Sequence, residues 1–127
     1  MRYKIEINHK LPSLNEYIKA INNNRHIGGK FKRNVQNGIL WQLPNIKIKK
    51  PITIDYIWYE TNKKRDLDNI AFGKKFINDA LVEKGIIEND NYQHIKGFSD
   101  SFVFGKQGGV VLLIKEVEQW TIQKKKY

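Results

Sequence analysis

The segment Arg65-Asp66-Leu67-Asp68-Asn69 carries two carboxylates two residues apart, where a basic stretch leads into a helical pattern. Asp66 and Asp68 project to the same side if the backbone there is extended. Mg²⁺ binds carboxylate oxygens, usually one or two of them together with waters and a substrate phosphate. The pair therefore indicates a divalent-metal site. Helix capping is the alternative, because Asp and Asn at a helix start bind free N–H groups and interact favourably with the helix dipole.

Two further side chains could complete such a site. Asp90 lies in the polar connection 88–91, where Asp and Asn also favour simple turns by bonding their own backbone. Lys75 follows Asp68 by seven residues, about two helical turns, so the two would share a helix face. Lys75 could hold a scissile phosphate or assist proton transfer. The alternative is an i,i+4 ion pair with Asp79.

The composition favours a polyanion as partner. The chain has 127 residues, with 23 Lys and Arg against 13 Asp and Glu, a formal net charge of +10. Such an excess favours phosphate contacts, although a merely soluble surface or a lysine-rich codon bias would also produce it. Because there is no cysteine, disulfides, thiolate metal sites and cysteine nucleophiles are excluded. The sequence has neither a signal-peptide pattern nor the ~18-residue apolar run of a membrane helix, so we expect a cytoplasmic protein without a membrane partner.

Periodicity predicts the elements that position these residues within a single domain spanning 1–127. Alternating or β-branched runs predict strands at 3–8, 52–59, 94–104 and 110–114. Helical spacing predicts two main helices, one over 31–43 and one from Asp66 or Asp68 to Lys84, the latter ended by Gly85. Strands and helices mix without strict alternation, so we predict the α+β class.

The remaining segments are predicted to be irregular. Polar and glycine-rich composition predicts a turn at 11–15 and a mobile basic loop at 22–34. The lysine-rich tail at 122–127 is predicted to be frayed. Mobile basic loops are common where a protein meets its ligand, so the loop at 22–34 is a candidate binding element.

Several of these motifs, taken in order, resemble those of the RusA-type Holliday junction resolvases. That family carries an R-D-x-D-N motif, a downstream lysine, a D-A-L segment and a D-D or N-D pair. The matching residues here are Arg65-Asp66-Leu67-Asp68-Asn69-Ile70, Lys75, Asp79-Ala80-Leu81, Gly85-Ile86-Ile87 and Asn89-Asp90. Leu11-Pro12-Ser13-Leu14-Asn15 is similar to the family's P-P-S-x-N turn, so the resemblance extends over about 10–95.

The resemblance implies a small α+β domain with a mixed sheet and a specific activity. Members are homodimeric, Mg²⁺-dependent endonucleases that bind four-way DNA junctions and nick two strands symmetrically in recombination and repair, in bacteria and in phages or prophages. Mn²⁺ is expected to be able to replace Mg²⁺. The family's metal-binding, catalytic carboxylates match Asp66, Asp68 and Asp90. Its essential lysine matches Lys75.

The match at the lysine departs from the family pattern. The stretch between Asn69 and Asp79 is about a turn longer than in the founding member, and alignment from Asp68 would place Phe72 at the lysine position. Lys74 is therefore an alternative to Lys75. Asn89 also replaces the first acid of the D-D pair, which leaves the position of Asp90 unchanged.

Basic side chains around this motif are predicted to contact DNA, mostly its backbone and therefore without reading sequence. The predicted DNA-binding residues are Arg25, Lys30, Lys32, Arg33, Lys63, Lys64, Arg65 and Asn69. Three other functions stay open: a DNA-binding module without catalysis, a nuclease for flaps or branched DNA without junction preference, and an RNA-associated basic protein.

Overall fold

A computed structural model describes residues 1–118 as a four-stranded sheet with helices packed on one face. The elements in chain order are β1 (Arg2–Ile7), α1 (Leu14–Asn23), α2 (Arg25–Leu40), β2 (Ile52–Glu60), α3 (Leu67–Ala71), α4 (Lys74–Lys84), β3 (Ile95–Phe104) and β4 (Gly109–Glu116). The predicted strands are confirmed, each within one or two residues of its expected ends.

The sheet has the strand order β1-β4-β2-β3, so β1 and β3 form its edges. β4 runs antiparallel to both β1 and β2, whereas β2 and β3 are parallel. Parallel neighbours need a crossover connection, and α3 and α4 provide it. The α+β class with a mixed sheet is therefore confirmed. The two expected helices correspond to α2 and to α3–α4 together, and α1 is an additional helix.

Strand β2 shows how alternation builds the core. Ile52, Ile54, Tyr56 and Trp58 are buried toward the helices, while Asp55 faces the opposite side and is exposed. The same rule places the buried residues of β1 and β4 on the helix-bearing face. The opposite face of the sheet carries no helix among the described elements.

Helix α1 begins with a capping box formed by Ser13 and Glu16. The Ser13 hydroxyl accepts a hydrogen bond from the Glu16 amide at 3.2 Å, and the Glu16 carboxylate accepts one from the Ser13 amide at 3.4 Å. These reciprocal bonds satisfy two free N–H groups at the helix start. The predicted turn therefore ends at Ser13, and the chain is helical from Leu14.

The prediction of a mobile basic loop at 22–34 is wrong, because these residues form the end of α1, a sharp corner at Asn24 and the first part of α2. Asn24 is extended, and its side-chain oxygen accepts a hydrogen bond from the His26 amide at 2.8 Å, which caps α2. A Cβ on Gly28 would lie 3.1 Å from the Cα of Ile21, so the absent side chain allows the two helices to approach. Asparagine and glycine thus cap and pack helices here. The helix predicted from Phe31 begins at Arg25.

The single helix predicted from Asp66 or Asp68 to Lys84 is interrupted, with α3 ending at Ala71 and α4 beginning at Lys74. A Cβ on Gly73 would lie 3.1 Å from the Trp58 ring and 3.3 Å from Leu11, so glycine lets this joint sit directly on the core. The Phe76 amide bonds to the Gly73 carbonyl at 3.1 Å, a tighter turn than that of an α-helix. The predicted cap at Gly85 is confirmed by its φ of 82°.

The predicted helix over 31–43 also stops earlier than expected. α2 ends at Leu40, three residues before Leu43, and Trp41 is its C-cap. The basic tail at 122–127 lies outside the described residues. Of the helices in the described range 1–118, none is long and apolar enough to cross a bilayer.

Candidate functional site

An open cavity of about 850 Å³ lies between α1, α2, the α3–α4 joint and β3. Its walls are largely apolar and aromatic, including Phe72, Phe76 and Phe102. Its charged lining residues are Lys32, Asp68, Lys74, Lys75 and Asp100. The cavity therefore combines two carboxylates and three ammonium groups with an apolar wall. Charges interact more strongly beside such a wall than in bulk water, because the wall has a low dielectric constant.

Asp66 and Asp68 lie at the start of α3, and Asp68 is one of the residues that line this cavity. Asp66 occupies the N-cap position with an extended backbone, yet its side chain makes no capping hydrogen bond. The Asp68 carboxylate accepts one bond, from the Asn69 amide at 3.0 Å, and it is exposed. The capping alternative is therefore not realised by the Asp66 side chain, and both carboxylates keep oxygens directed to solvent.

Asp90 lies in the connection between α4 and β3, and its charge acts on the buried Tyr56 of β2. Burial raises the pKa of the Tyr56 hydroxyl well above its ordinary value, and the charges of Asp100 and Asp90 raise it further. A hydrogen bond that the Tyr56 hydroxyl donates to Asn78 opposes them. Asp100 lines the cavity together with Asp68, whereas Asp90 is not one of its lining residues.

The donor chemistry at α3 suits Mg²⁺, which prefers carboxylate oxygens and can bind through one or two of them while keeping waters. Across residues 1–118, no three His, Asp or Glu side chains lie close enough together to hold one ion. Asp66 and Asp68 supply two hard oxygen donors two residues apart, at the N-cap and in the first turn of α3. Metal binding by Asp66, Asp68 and Asp90 stays a prediction.

Lys75 forms an i,i+4 ion pair with Asp79, the alternative to a catalytic role that its spacing predicts. Its Nζ atom lies 3.3 Å from the carboxylate of Asp79, and the Lys75 side chain is 57% exposed. Lys32 of α2 reaches the other oxygen of the same carboxylate at 3.4 Å. Asp79 thereby joins α4 to α2 and holds two of the three lysines that line the cavity.

Lys74 belongs to a second and more enclosed network, whose acid was missed by sequence reasoning. Its Nζ atom donates to Asp100 Oδ2 at 2.6 Å, and Trp58 Nε1 donates to Asp100 Oδ1 at 2.8 Å. The one signal in the sequence was the position of Asp100 between Phe98 and Phe102, on the face of β3 that points to the helices. No motif marks it, because its partners come from β2 and α4.

Arg65, which directly precedes the two aspartates in sequence, is largely enclosed by other residues. Its guanidinium donates to the buried carboxylate of Glu60 at 3.0 Å and to the Leu11 carbonyl at 3.0 Å, and its side chain is 17% exposed. Lys10 lies 3.4 Å from the other oxygen of Glu60. These contacts tie the segment before α3 to β2 and to the start of α1, which positions Asp66.

The other basic residues predicted to bind DNA lie on the surface. Arg25 and Lys30 are exposed on α2, and Arg33 is paired with Glu83 at 2.7 Å. Lys63 lies over the Phe104 ring at 5.4 Å, and Lys64 is exposed beside it. Asn69, the remaining predicted contact, is half-buried on α3. Exposed basic residues thus occur in two places, on α2 and in the segment after β2.

Comparison of the chain with protein-family models and with curated proteins gives no match. The resemblance to the RusA-type resolvases therefore rests on the motifs quoted above and on their order in the sequence.

Proposed function

We propose that this protein is a Mg²⁺-dependent endodeoxyribonuclease that cuts branched DNA, with the four-way junction as its substrate. The observation that carries the proposal is the placement of Asp66 and Asp68. Two neighbouring carboxylates begin α3 without a capping bond from Asp66, and Asp68 lines a cavity together with three lysines. Such acids in a chain of net charge +10 suit a metal that works on a phosphate.

The chain's own residues would divide the work. Asp66 and Asp68 would hold Mg²⁺, which when bound activates water and neutralises charge on the phosphate. Asp90 forms no three-carboxylate group with them in the described residues and would have to approach them when the metal binds. One of the two cavity lysines of α4, Lys75 or Lys74, would bind the non-bridging oxygens of the phosphate that is cut. Lysines of α2 and residues 63–64 would contact the DNA backbone on either side and set its orientation without reading its sequence.

A homodimer is part of the proposal. A four-way junction has approximate two-fold symmetry, and paired cuts need two active sites related by that symmetry. The arrangement would explain how a domain of 127 residues could make two symmetric nicks. Sedimentation of the protein alone and with a junction measures this directly.

The test is cleavage of a synthetic four-way junction with and without Mg²⁺. We expect metal-dependent paired nicks from the wild type. Asp66→Asn and Asp68→Asn should each lower the cleavage rate by about 100-fold or more, because a charged carboxylate ligand is replaced by a neutral amide. Asp90→Asn should also lower the cleavage rate. The matched control is Asp55→Asn, since Asp55 is an exposed aspartate on the opposite face of the sheet. Equal cutting by the α3 variants and the control would refute the site.

Substrate comparison separates the other functions. Equal cutting of junction, Y-shaped and flap DNA would indicate a general branched-DNA nuclease. Tight junction binding without metal-dependent nicking would indicate a binding module. Tighter binding to RNA than to DNA, again without metal dependence, would indicate an RNA-associated protein.

A further inference from the structure

Asp100 is a charged residue on the apolar, helix-bearing face of the edge strand β3. Its nearest neighbours on that face of the strand are Phe98 and Phe102, and a carboxylate among aromatic rings is costly unless its oxygens are paired. Both oxygens are paired: Trp58 donates to one at 2.8 Å and Lys74 to the other at 2.6 Å. The carboxylate therefore bridges β2 and α4, with a different partner on each side.

The Lys74 ammonium is held by aromatic rings as well as by this acid. It lies 3.9 Å from the centroid of the Phe98 ring and 5.2 Å from that of Tyr56. A cation over an aromatic face is attracted by the ring quadrupole, more strongly where water is excluded. The Lys74 side chain is only 18% exposed. A lysine is ordinarily a flexible point charge, and here its position is fixed from several directions.

Lys75, its neighbour in sequence, is held far less firmly. It is 57% exposed, and Asp79, 3.3 Å away, is its ion-pair partner. Exposed pairs of this kind contribute little, because water screens them and the side chains lose entropy on pairing. Both lysines line the cavity with Asp68, so the structure offers two candidate phosphate-binding lysines that differ in how well they are preorganised.

We propose that Asp100 is a positioning residue, which with Trp58 holds the Lys74 ammonium beside Asp68, and that Lys74 rather than Lys75 binds the phosphate to be cut. The inference rests on the proposed nuclease function and names the lysine and its positioning acid. A fixed ammonium favours catalysis because it needs no reorganisation as charge develops on the phosphate.

Single-turnover cleavage of the junction at saturating enzyme tests this assignment. We expect Lys74→Met to lower the rate about 100-fold and Lys75→Met to lower it less than about threefold. Asp100→Asn, which keeps an acceptor for Trp58 but loses the charge, should lower it about tenfold. Because Asp100 acts through Lys74, the double variant should cut no more slowly than Lys74→Met alone. Multiplied losses, or a larger loss for Lys75→Met, would overturn the proposal.

Junction binding with Ca²⁺ in place of Mg²⁺ provides an arm that does not need cleavage. Lys74→Met should reduce the slope of log K against log salt by about 0.9, one phosphate contact, and Lys75→Met should leave it unchanged. If the wild type binds but never cuts, the nuclease proposal fails, and this slope still decides between the lysines. If the wild type binds no DNA, both proposals are refuted.

A spectroscopic control distinguishes positioning from simple structural support. The indole N–H resonance of Trp58, assigned by its loss in Trp58→Phe, should move in Asp100→Asn and stay in place in Asp55→Asn. Thermal unfolding of all variants identifies any that fail to fold. If Lys74→Met is unstable, Lys74→Arg replaces it as the test variant, because it keeps the positive charge but changes the shape of the cation. The proposal would be overturned if the indole resonance moves in Asp100→Asn while the cleavage rate and the salt slope stay unchanged. In that case Asp100 would have only a structural role.

Discussion

Two groups of charged side chains lie only a few residues apart between β2 and α3, and the chain uses them in opposite ways. Glu60 is buried and paired with the largely enclosed Arg65, and Lys10, Glu16 and the Leu11 carbonyl are further partners of this pair. The second group begins with Asp66, which follows Arg65, is exposed, and makes no capping bond with its side chain. The first group fixes the path of the chain, and the second leaves charge available to a ligand.

The contrast shows that residue type and spacing do not by themselves separate structural from functional charge. Arg65 and Asp66 are adjacent in one motif, and both were predicted to contact ligands. Burial and pairing distinguish them: the Arg65 side chain is 17% exposed and its guanidinium is engaged on two sides. A buried ion pair contributes to the fold chiefly through what its loss would leave unpaired.

Substitution of the two neighbours gives the largest expected difference. Arg65→Met should lower the free energy of unfolding by about 3 kcal/mol, because Glu60 would stay buried with one cation fewer. Asp66→Asn should change it by less than about 0.5 kcal/mol, because the side chain is exposed and makes no cap. Urea unfolding measures both. Similar losses for the two variants would remove the distinction between the groups.

The joint at Gly73, which links the acidic start of α3 to the lysines of α4, gives an intermediate effect. Gly73→Ala should destabilise the fold by about 2 kcal/mol, because the new Cβ would press on Trp58 and Leu11. Gly29→Ala is the matched control: it lies within α2 with no atom within 4 Å of the added Cβ, so it should stabilise by about 0.5–1 kcal/mol. Thermal unfolding of the pair should show shifts of opposite sign.

The smallest effect is expected on the basic surface of α2. Lys30→Ala should weaken DNA binding by a few-fold and reduce its salt slope by about 1, with the same result for different sequences. Lys4→Ala is the control, since Lys4 lies on the edge strand β1 and already pairs with Glu6. Fluorescence anisotropy across a salt series measures both variants. An equal change in the control would show only a general charge effect.

Much of the fold was predictable because its signals are local. The alternation in β2 and the glycine after Lys84 each depend on a few consecutive residues, and both predictions are confirmed. The corner at 22–34 was mispredicted because asparagine and glycine were read as loop formers. Asn24 in fact caps α2, and Gly28 admits the close approach of Ile21.

The site was predictable only in part, for the opposite reason. Asp66 and Asp68 share one short motif, and their shared exposure at the start of α3 follows from it. Asp100 has no such signal, because its role depends on Trp58 from one strand and Lys74 from a helix. The choice between Lys74 and Lys75 likewise depends on the break at Gly73 and on aromatic rings distant in sequence. Contacts of this kind need the folded chain.

The corner between α1 and α2 has a consequence for association. A loop at 22–34 would have wrapped a partner by ordering itself on contact, and it would have adapted to many shapes. Helix α2 instead runs for 16 residues, roughly 24 Å, and presents its exposed cations at fixed separations. A rigid helix of this kind loses less conformational entropy on binding than a mobile loop would, and a partner would have to match the spacing of its cations.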